Sequence, residues 1–201
     1  MTKSLTFNKS NYKMLGSLIV IIVLALALSA CAGPPPDNPN DLCSIFDQKW
    51  GWERHAKRAK DKWGVPIPVM MAIMNQESSF VDDARPGRVR FLGIPLWRKS
   101  SAYGYPQAKD DTWRWYEQSI GKNRDRDDFD DAIDFIGWYN YQSYKMLGLS
   151  RTDTYSLYLA YHEGHGGYRS GSYRSKQWLL NVAAKVRDQA ARYTDQYQRC
   201  S

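Results

Sequence analysis

Residues 69–80 read Val-Met-Met-Ala-Ile-Met-Asn-Gln-Glu-Ser-Ser-Phe, and this stretch decides how the chain folds. Its first six residues are apolar, which predicts a helix that is buried on every side. The preceding Val65-Pro66-Ile67-Pro68 breaks the chain, and proline is tolerated in the first turn of a following helix. We therefore expect this helix to be buried in the domain.

Glu77 ends the buried helix. A carboxyl group in that position is partly desolvated, and desolvation raises its pKa. A glutamate that stays protonated near neutral pH can act as the general acid that cleaves a glycosidic bond. The alternative is an ordinary surface glutamate at a helix end.

Much of the remaining sequence also has helical patterns. We expect helices within 44–63, within 107–121, from the aspartate-rich region 125–134 to about 147, and within 150–161 and 176–198. Residues 81–101 look irregular and basic, with a short hairpin possible at 85–99. The pattern predicts one mainly α domain over residues 43–201.

Composition narrows the classes of protein. The 201 residues are 43% hydrophobic and 24% charged, which excludes wholesale disorder and a membrane protein with many spans. Aromatic residues make up 14%, which suits a tight core or a groove that stacks flat ligands such as sugar rings. The net charge of +7 favours anionic partners only weakly, and simple solubility explains it equally well.

The first thirty residues are typical of an export signal. Lys3, Lys9 and Lys13 precede an apolar run over 18–28, which is too short to span a bilayer and suits a signal-peptide core. Leu28-Ser29-Ala30-Cys31 resembles the bacterial lipobox, so we predict a signal peptide over 1–30 and lipidation at Cys31. The alternative is an uncleaved anchor helix.

The residues after Cys31 complete this interpretation. Residues 31–42 are rich in proline and are predicted to be a tether between lipid and domain. Ala32 stands where an aspartate would resemble an inner-membrane retention signal, so the expected location is the outer membrane, facing the periplasm. That compartment is oxidising, and we predict a disulfide between Cys43 and Cys200; two free thiols are the alternative.

Three short motifs together resemble the soluble lytic transglycosylase (SLT) family, which has a lysozyme-like fold. Gln76-Glu77-Ser78-Ser79-Phe80 is similar to its Glu-Ser-x-Phe motif, and Ala160-Tyr161-His162-Glu163-Gly164 to its Ala-Tyr-Asn-x-Gly motif. Between them, Gly104 and Gln107 match Gly-Leu-Met-Gln, and Thr112 matches the threonine that follows. The motifs occur in family order and imply a mainly α (α+β lysozyme-like) fold.

The resemblance implies cleavage of the bond between N-acetylmuramic acid and N-acetylglucosamine in peptidoglycan, with 1,6-anhydro ring formation. Glu77 would be the single general acid and base, and no metal or organic cofactor is expected. By the same analogy Ser78 hydrogen-bonds the substrate and Tyr161 donates its hydroxyl to Glu77. The remaining implied substrate-binding residues are Gly104, Tyr105, Gln107 and His162.

The sequence departs from the family pattern at Tyr105, Pro106 and His162. These changes would narrow the substrate range or mark a peptidoglycan-binding lipoprotein without turnover. A hydrolysing lysozyme is a further alternative, with Glu163, Asp82 or Asp83 as its second carboxylate.

Metal and nucleic-acid sites are disfavoured. His162 and His165 are three residues apart, whereas the helical zinc motif needs four, and the glycines from Gly164 onward are expected to end the helix. An EF-hand calcium loop needs glycine at its sixth position, and in a loop that began at Asp125 this position would be Asp130. The expected partners are glycan strands and the membrane through the lipid, with cell-wall or secretion machinery as a further candidate. We expect a monomer and no bound nucleic acid.

Overall fold

The computed structural model describes residues 33–91, 94–98 and 100–200, without the side chains of 88–98. The predicted signal peptide and Cys31 lie outside the described residues. Residues from Pro35 onward form one compact unit. Within the described residues, none of the helices has the length and apolar character needed to cross a bilayer.

The described part of the chain contains seven α-helices and one two-stranded antiparallel sheet, as expected for a mainly α domain. In chain order they are α1 Leu42–Gln48, α2 Trp52–Trp63, α3 Ile67–Ser78, β1 Arg88–Phe91, β2 Ile94–Arg98, α4 Asp110–Ile120, α5 Phe129–Leu147, α6 Thr154–Ser170 and α7 Gln177–Cys200, with a 3₁₀ turn Ser172–Ser175 before α7.

The helix α3 is buried, as the apolar stretch predicts. All residues from Ile67 to Met74 are buried. This helix packs against α5 on one side and α7 on another. Trp52 of α2 stacks on Phe129 of α5 with ring centroids 3.8 Å apart, which joins α2 to the core.

Two helix boundaries differ from the expectation. The helix predicted over 44–63 is two helices, because the backbone leaves the helical region at Lys49 and Gly51. The helix predicted to end near Tyr161 continues to Ser170, and its glycines kink it at Gly164 instead of ending it.

A disulfide joins Cys43 to Cys200, with Cα atoms 5.9 Å apart, which confirms the predicted pairing. The end of the predicted tether also packs on the domain. Pro36 is buried, and the Pro39 carbonyl accepts hydrogen bonds from Asn75 and Tyr193. The folded domain therefore begins several residues before Cys43.

The hairpin expected within 85–99 is present. Its strands pair Arg88 with Arg98, Arg90 with Pro95 and Phe91 with Ile94, with an irregularity between Arg88 and Arg90. It leads directly into the loop 100–109, which forms part of the cavity described next.

Candidate active site

Glu77 lies in the last turn of α3 and is partly buried. Its carboxyl group borders a cavity of about 380 Å³. The wall contains residues of α3, α4, α5 and α6 and of the loop 100–109: Glu77, Ser100, Ala102, Gln107, Ala108, Lys109, Thr112, Phe135, Tyr139, Tyr161, His162, Glu163 and Gly164. All three family motifs therefore contribute to one cavity.

Burial raises the pKa of Glu77 to about 7, and a hydrogen bond with Tyr158 opposes part of the rise. The position at the C-terminal end of α3 acts in the same direction as burial, because the negative end of the helix dipole disfavours a carboxylate. A substantial fraction of Glu77 is therefore protonated near neutral pH, the direction expected from the sequence.

The tyrosine whose hydrogen bond lowers the pKa of Glu77 is Tyr158, and the expected donation by Tyr161 is wrong. Tyr161 Oη donates to the Pro106 carbonyl at 2.6 Å, which uses its one proton. Tyr158 is 3% exposed and lies one turn before Tyr161, so both side chains occupy the same face of α6. This spacing is the signal in the sequence that could have revealed Tyr158.

Gln107 shapes the loop that carries the second motif. Its Nε2 donates to the carbonyls of Ala84, at 2.9 Å, and Gly104, at 2.8 Å. Its own φ is +50°, a value that non-glycine residues adopt only where surrounding contacts hold them. Among the described non-glycine residues, positive φ occurs otherwise only at Ser79 and Phe80, two and three residues after Glu77.

Three expected substrate contacts are absent from the part of the cavity wall that the described residues form. Ser78 is buried, and its hydroxyl donates to the Met74 carbonyl at 3.3 Å. Tyr105 is 6% exposed and packs edge-on against Trp52. Gly104 supports the loop, since a Cβ there would lie 2.1 Å from the Arg126 carbonyl oxygen. These residues build the site without facing the cavity.

A second carboxylate, Glu163, lies in the cavity wall with its side chain 4% exposed. Lys176 Nζ contacts both of its oxygens at 2.7 and 2.8 Å, and the Ser172 hydroxyl and His162 Nδ1 also bind it. Burial alone would raise the pKa of Glu163, but the hydrogen bonds from Lys176, Ser172 and His162 lower it to about 2. The two carboxyl groups of the cavity therefore differ strongly in proton affinity.

Gly164 gives this arrangement its shape. Its φ of 76° and ψ of 160° fall in a region that is essentially restricted to glycine. The axis of α6 therefore changes direction at Gly164, the residue after Glu163. Neither Asp82 nor Asp83, the other carboxylates considered, is among the described residues that line the cavity.

The two histidines of the third motif have separate environments. His162 lies in the cavity wall and contacts Glu163, whereas His165 is buried and its Nε2 is 3.0 Å from the Ser143 hydroxyl. Burial lowers the pKa of His165, which favours the neutral ring. Across the described residues, there is no group of three or more histidine, cysteine or acidic side chains that could hold a metal ion.

Aromatic rings continue from the cavity along α6 and the start of α7. Trp178 is 55% exposed and meets the His162 ring edge-on at 5.2 Å, and Tyr168 stacks on Tyr173 at 5.0 Å. An exposed indole beside a cavity suits contact with the flat apolar face of a sugar ring.

Comparison with curated proteins gave no match. A family model described as the transglycosylase SLT domain matches residues 19–200, nearly the whole chain. The helical fold and the gathering of the three motifs around one cavity agree with that match. The chain therefore belongs to the transglycosylase SLT domain family, whose activity and substrate binding concern peptidoglycan.

Proposed function

We propose that this protein is a lytic transglycosylase that cleaves the β-1,4 bond between N-acetylmuramic acid and N-acetylglucosamine, with Glu77 as its single general acid and base. The observation that carries the proposal is a partly buried Glu77 with a pKa of about 7 on the wall of a 380 Å³ cavity. A carboxyl group with that pKa can release and take up a proton at neutral pH.

In the first step, neutral Glu77 gives its proton to the glycosidic oxygen while the bond from that oxygen to muramyl C1 breaks. Positive charge then develops at C1, as in other glycosidic cleavages. The Tyr158 hydroxyl stabilises the carboxylate that Glu77 becomes, because its hydrogen bond favours the charged form.

In the second step, the Glu77 carboxylate removes the proton of the muramyl 6-hydroxyl. The 6-oxygen forms a bond to C1 and closes the 1,6-anhydro ring. The proton is back on Glu77, so one residue serves both steps and the group is ready for the next bond. Gln107 of the second motif and His162 of the third, both in the cavity wall, are the proposed glycan contacts.

A hydrolysing lysozyme is the second candidate, because Glu163 provides a carboxylate in the same cavity. A nucleophile or base in that role needs a free oxygen. Both Glu163 oxygens contact Lys176, and hydroxyl and imidazole groups also bind them. These bonds reduce its nucleophilicity and favour a positioning role, which supports the anhydro-forming reaction.

The decisive experiment is mass spectrometry of the soluble fragments that the purified protein releases from peptidoglycan sacculi. We expect fragments lighter than hydrolysed muropeptides by the mass of one water, and none with Glu77→Gln. Fragments of the hydrolysed mass, lost with Glu163→Gln, would indicate a lysozyme. Sacculus binding without release by the unmodified protein would indicate a non-catalytic binding protein.

We further propose that lipid on Cys31 holds the domain at the outer membrane, facing the periplasm. The support is the lipobox-like Leu28-Ser29-Ala30-Cys31 and the alanine that follows it. Labelling cells with a fatty-acid analogue should mark the protein, and Cys31→Ser should remove the label. Membrane fractionation then tests the outer-membrane assignment.

A further inference from the structure

A second cavity, of about 330 Å³, lies between α3, α7 and the segment before α1. Its wall shares no described residue with the cavity at Glu77. From α3 it contains Asn75, Gln76 and, just past the helix end, Ser79. Two of these, Gln76 and Ser79, flank Glu77 along the chain, so the second cavity and the proposed catalytic carboxyl group share one helix end.

The wall from α7 is cationic. Lys185, Gln189 and Arg192 face the cavity at spacings of four and three residues, which places them on one face of the helix. No acidic side chain is among the described wall residues, and neither cation has an ion pair within the described part of the protein. Two unneutralised cations around a concave site attract an anionic ligand.

Gln189 adds a buried donor. The residue is 6% exposed, and its Oε1 accepts a hydrogen bond from Arg192 Nη2. Its Nε2 faces the Tyr193 hydroxyl but makes no hydrogen bond of good geometry with the described residues. The neighbouring Tyr193 hydroxyl already accepts from Asn75 and donates to the Pro39 carbonyl. A buried amide nitrogen without an acceptor is unfavourable, so a ligand that supplies an oxygen there would remove that cost.

We propose that this cavity binds a carboxylate of the peptidoglycan stem peptide, with Lys185 and Arg192 as its cationic contacts and Gln189 Nε2 as a hydrogen-bond donor. Exposed Gln76 and the Ser79 hydroxyl add polar groups that suit peptide amides. The inference rests on the proposed function, because the stem peptide is attached to the muramyl sugar whose bond Glu77 cleaves.

The geometry of attachment supports this choice of ligand. Consecutive Cα atoms are about 3.8 Å apart, and a three-residue stem extends about 10 Å. The cavity wall lies on a different face of α3 from Glu77, so the peptide of a muramyl sugar at Glu77 would pass around the end of this helix, which is about 10 Å across, to enter the cavity. The occupied site would favour glycan that bears acidic peptides over glycan stripped of them.

The test uses the full chain in detergent and a fluorescently labelled tripeptide, L-alanyl-γ-D-glutamyl-meso-diaminopimelate, followed by anisotropy. We expect saturable binding that weakens about 10- to 100-fold in Lys185→Gln/Arg192→Gln, since hydrogen bonds to charged groups are among the strong ones. The control Arg187→Gln/Arg199→Gln removes the same charge from α7 outside this cavity and should bind as the unmodified protein does.

A ligand-side change keeps the test valid if the double variant misfolds. The tripeptide with its carboxylates amidated should bind at least 10-fold more weakly to the unmodified protein. Absence of saturable binding at millimolar peptide, equal weakening in the control, or equal affinity for the amidated peptide would each overturn the inference.

Glu77→Gln separates this inference from the proposed function. It should abolish fragment release and leave tripeptide affinity unchanged. If the tripeptide does not bind but fragments are still released in a Glu77-dependent way, the peptide site is rejected and the proposed function stands. Release that does not depend on Glu77 rejects the proposed function alone.

Discussion

The pH dependence of stability provides a direct test of the environment of Glu77, independent of activity. Replacing this residue by glutamine keeps its size and an acceptor oxygen for Tyr158 but removes its titration. We expect Glu77→Gln to stabilise the domain, and to do so only above mildly acidic pH.

The sign and size follow from the raised pKa. The pKa of Glu77 is about 7 in the folded protein and ordinarily 4.5, so between pH 4.5 and 7 the folded state binds more protons than the unfolded state. The free energy of unfolding therefore falls as the pH rises through this range. If the whole pKa shift were expressed, ionisation of Glu77 would lower the free energy of unfolding by about 3 kcal/mol. Because Glu77 is partly exposed, we expect about 2–3 kcal/mol. Glutamine has no such loss.

The assay is denaturant unfolding of both proteins, with the disulfide intact, at several pH values from 4 to 8. The stability difference should be smallest near pH 4 and reach its full size above pH 7. Asp47→Asn, an exposed carboxylate on α1, is the control. A Glu77→Gln difference that stays constant within about 0.5 kcal/mol, the range of neutral surface substitutions, would refute the assigned burial.

Three further predictions test the surrounding contacts. Tyr158→Phe should shift the alkaline limb of the pH–rate profile to higher pH, because the hydrogen bond from Tyr158 lowers the pKa of Glu77 and its removal raises that pKa. Tyr161→Phe should leave the alkaline limb in place, because Tyr161 donates to the Pro106 carbonyl. Lys176→Met should lower the free energy of unfolding at neutral pH by about 1–3 kcal/mol, and this difference should shrink below pH 4.5 as Glu163 approaches its pKa of about 2. Reducing the Cys43–Cys200 bond should lower stability by about 5 kcal/mol in the chain-entropy model, measured as a fall in the denaturant midpoint.

Each of these predictions has an outcome that contradicts it. Equal shifts of the pH–rate profile in both tyrosine variants would remove the distinction between the two hydroxyl groups. A Lys176→Met effect that persists unchanged at low pH would mean that lysine acts through packing rather than through Glu163. An unchanged midpoint after complete reduction would mean that the denatured chain is already constrained.

Local pattern was sufficient for several features of this protein. The apolar run before Glu77 predicts a buried helix with a desolvated carboxyl group at its end, because burial follows from hydrophobicity on every face. For the basic segment 85–99 the sequence left a short hairpin and an irregular insertion open, and the spare cysteines predict a bond between the ends of the domain. These inferences depend on residue type and position along the chain.

The contacts between side chains required the folded structure. Motif position made Ser78 and Tyr105 candidate substrate contacts, but Ser78 donates to the Met74 carbonyl and Tyr105 packs against Trp52, and neither lies in the described cavity wall. The ion pair between Glu163 and Lys176 crosses a kink and a turn.

The buried helix, the family resemblance and the importance of Glu77 could all be predicted from the sequence, because the helix is one apolar run and each family motif is a short stretch of chain. The choice between Tyr158 and Tyr161 at its carboxyl group, and the cationic wall opposite α3, came from the packing of distant segments. Hydrogen bonds form over about 3 Å and depend on direction, so their partners are settled only when the backbone is in place.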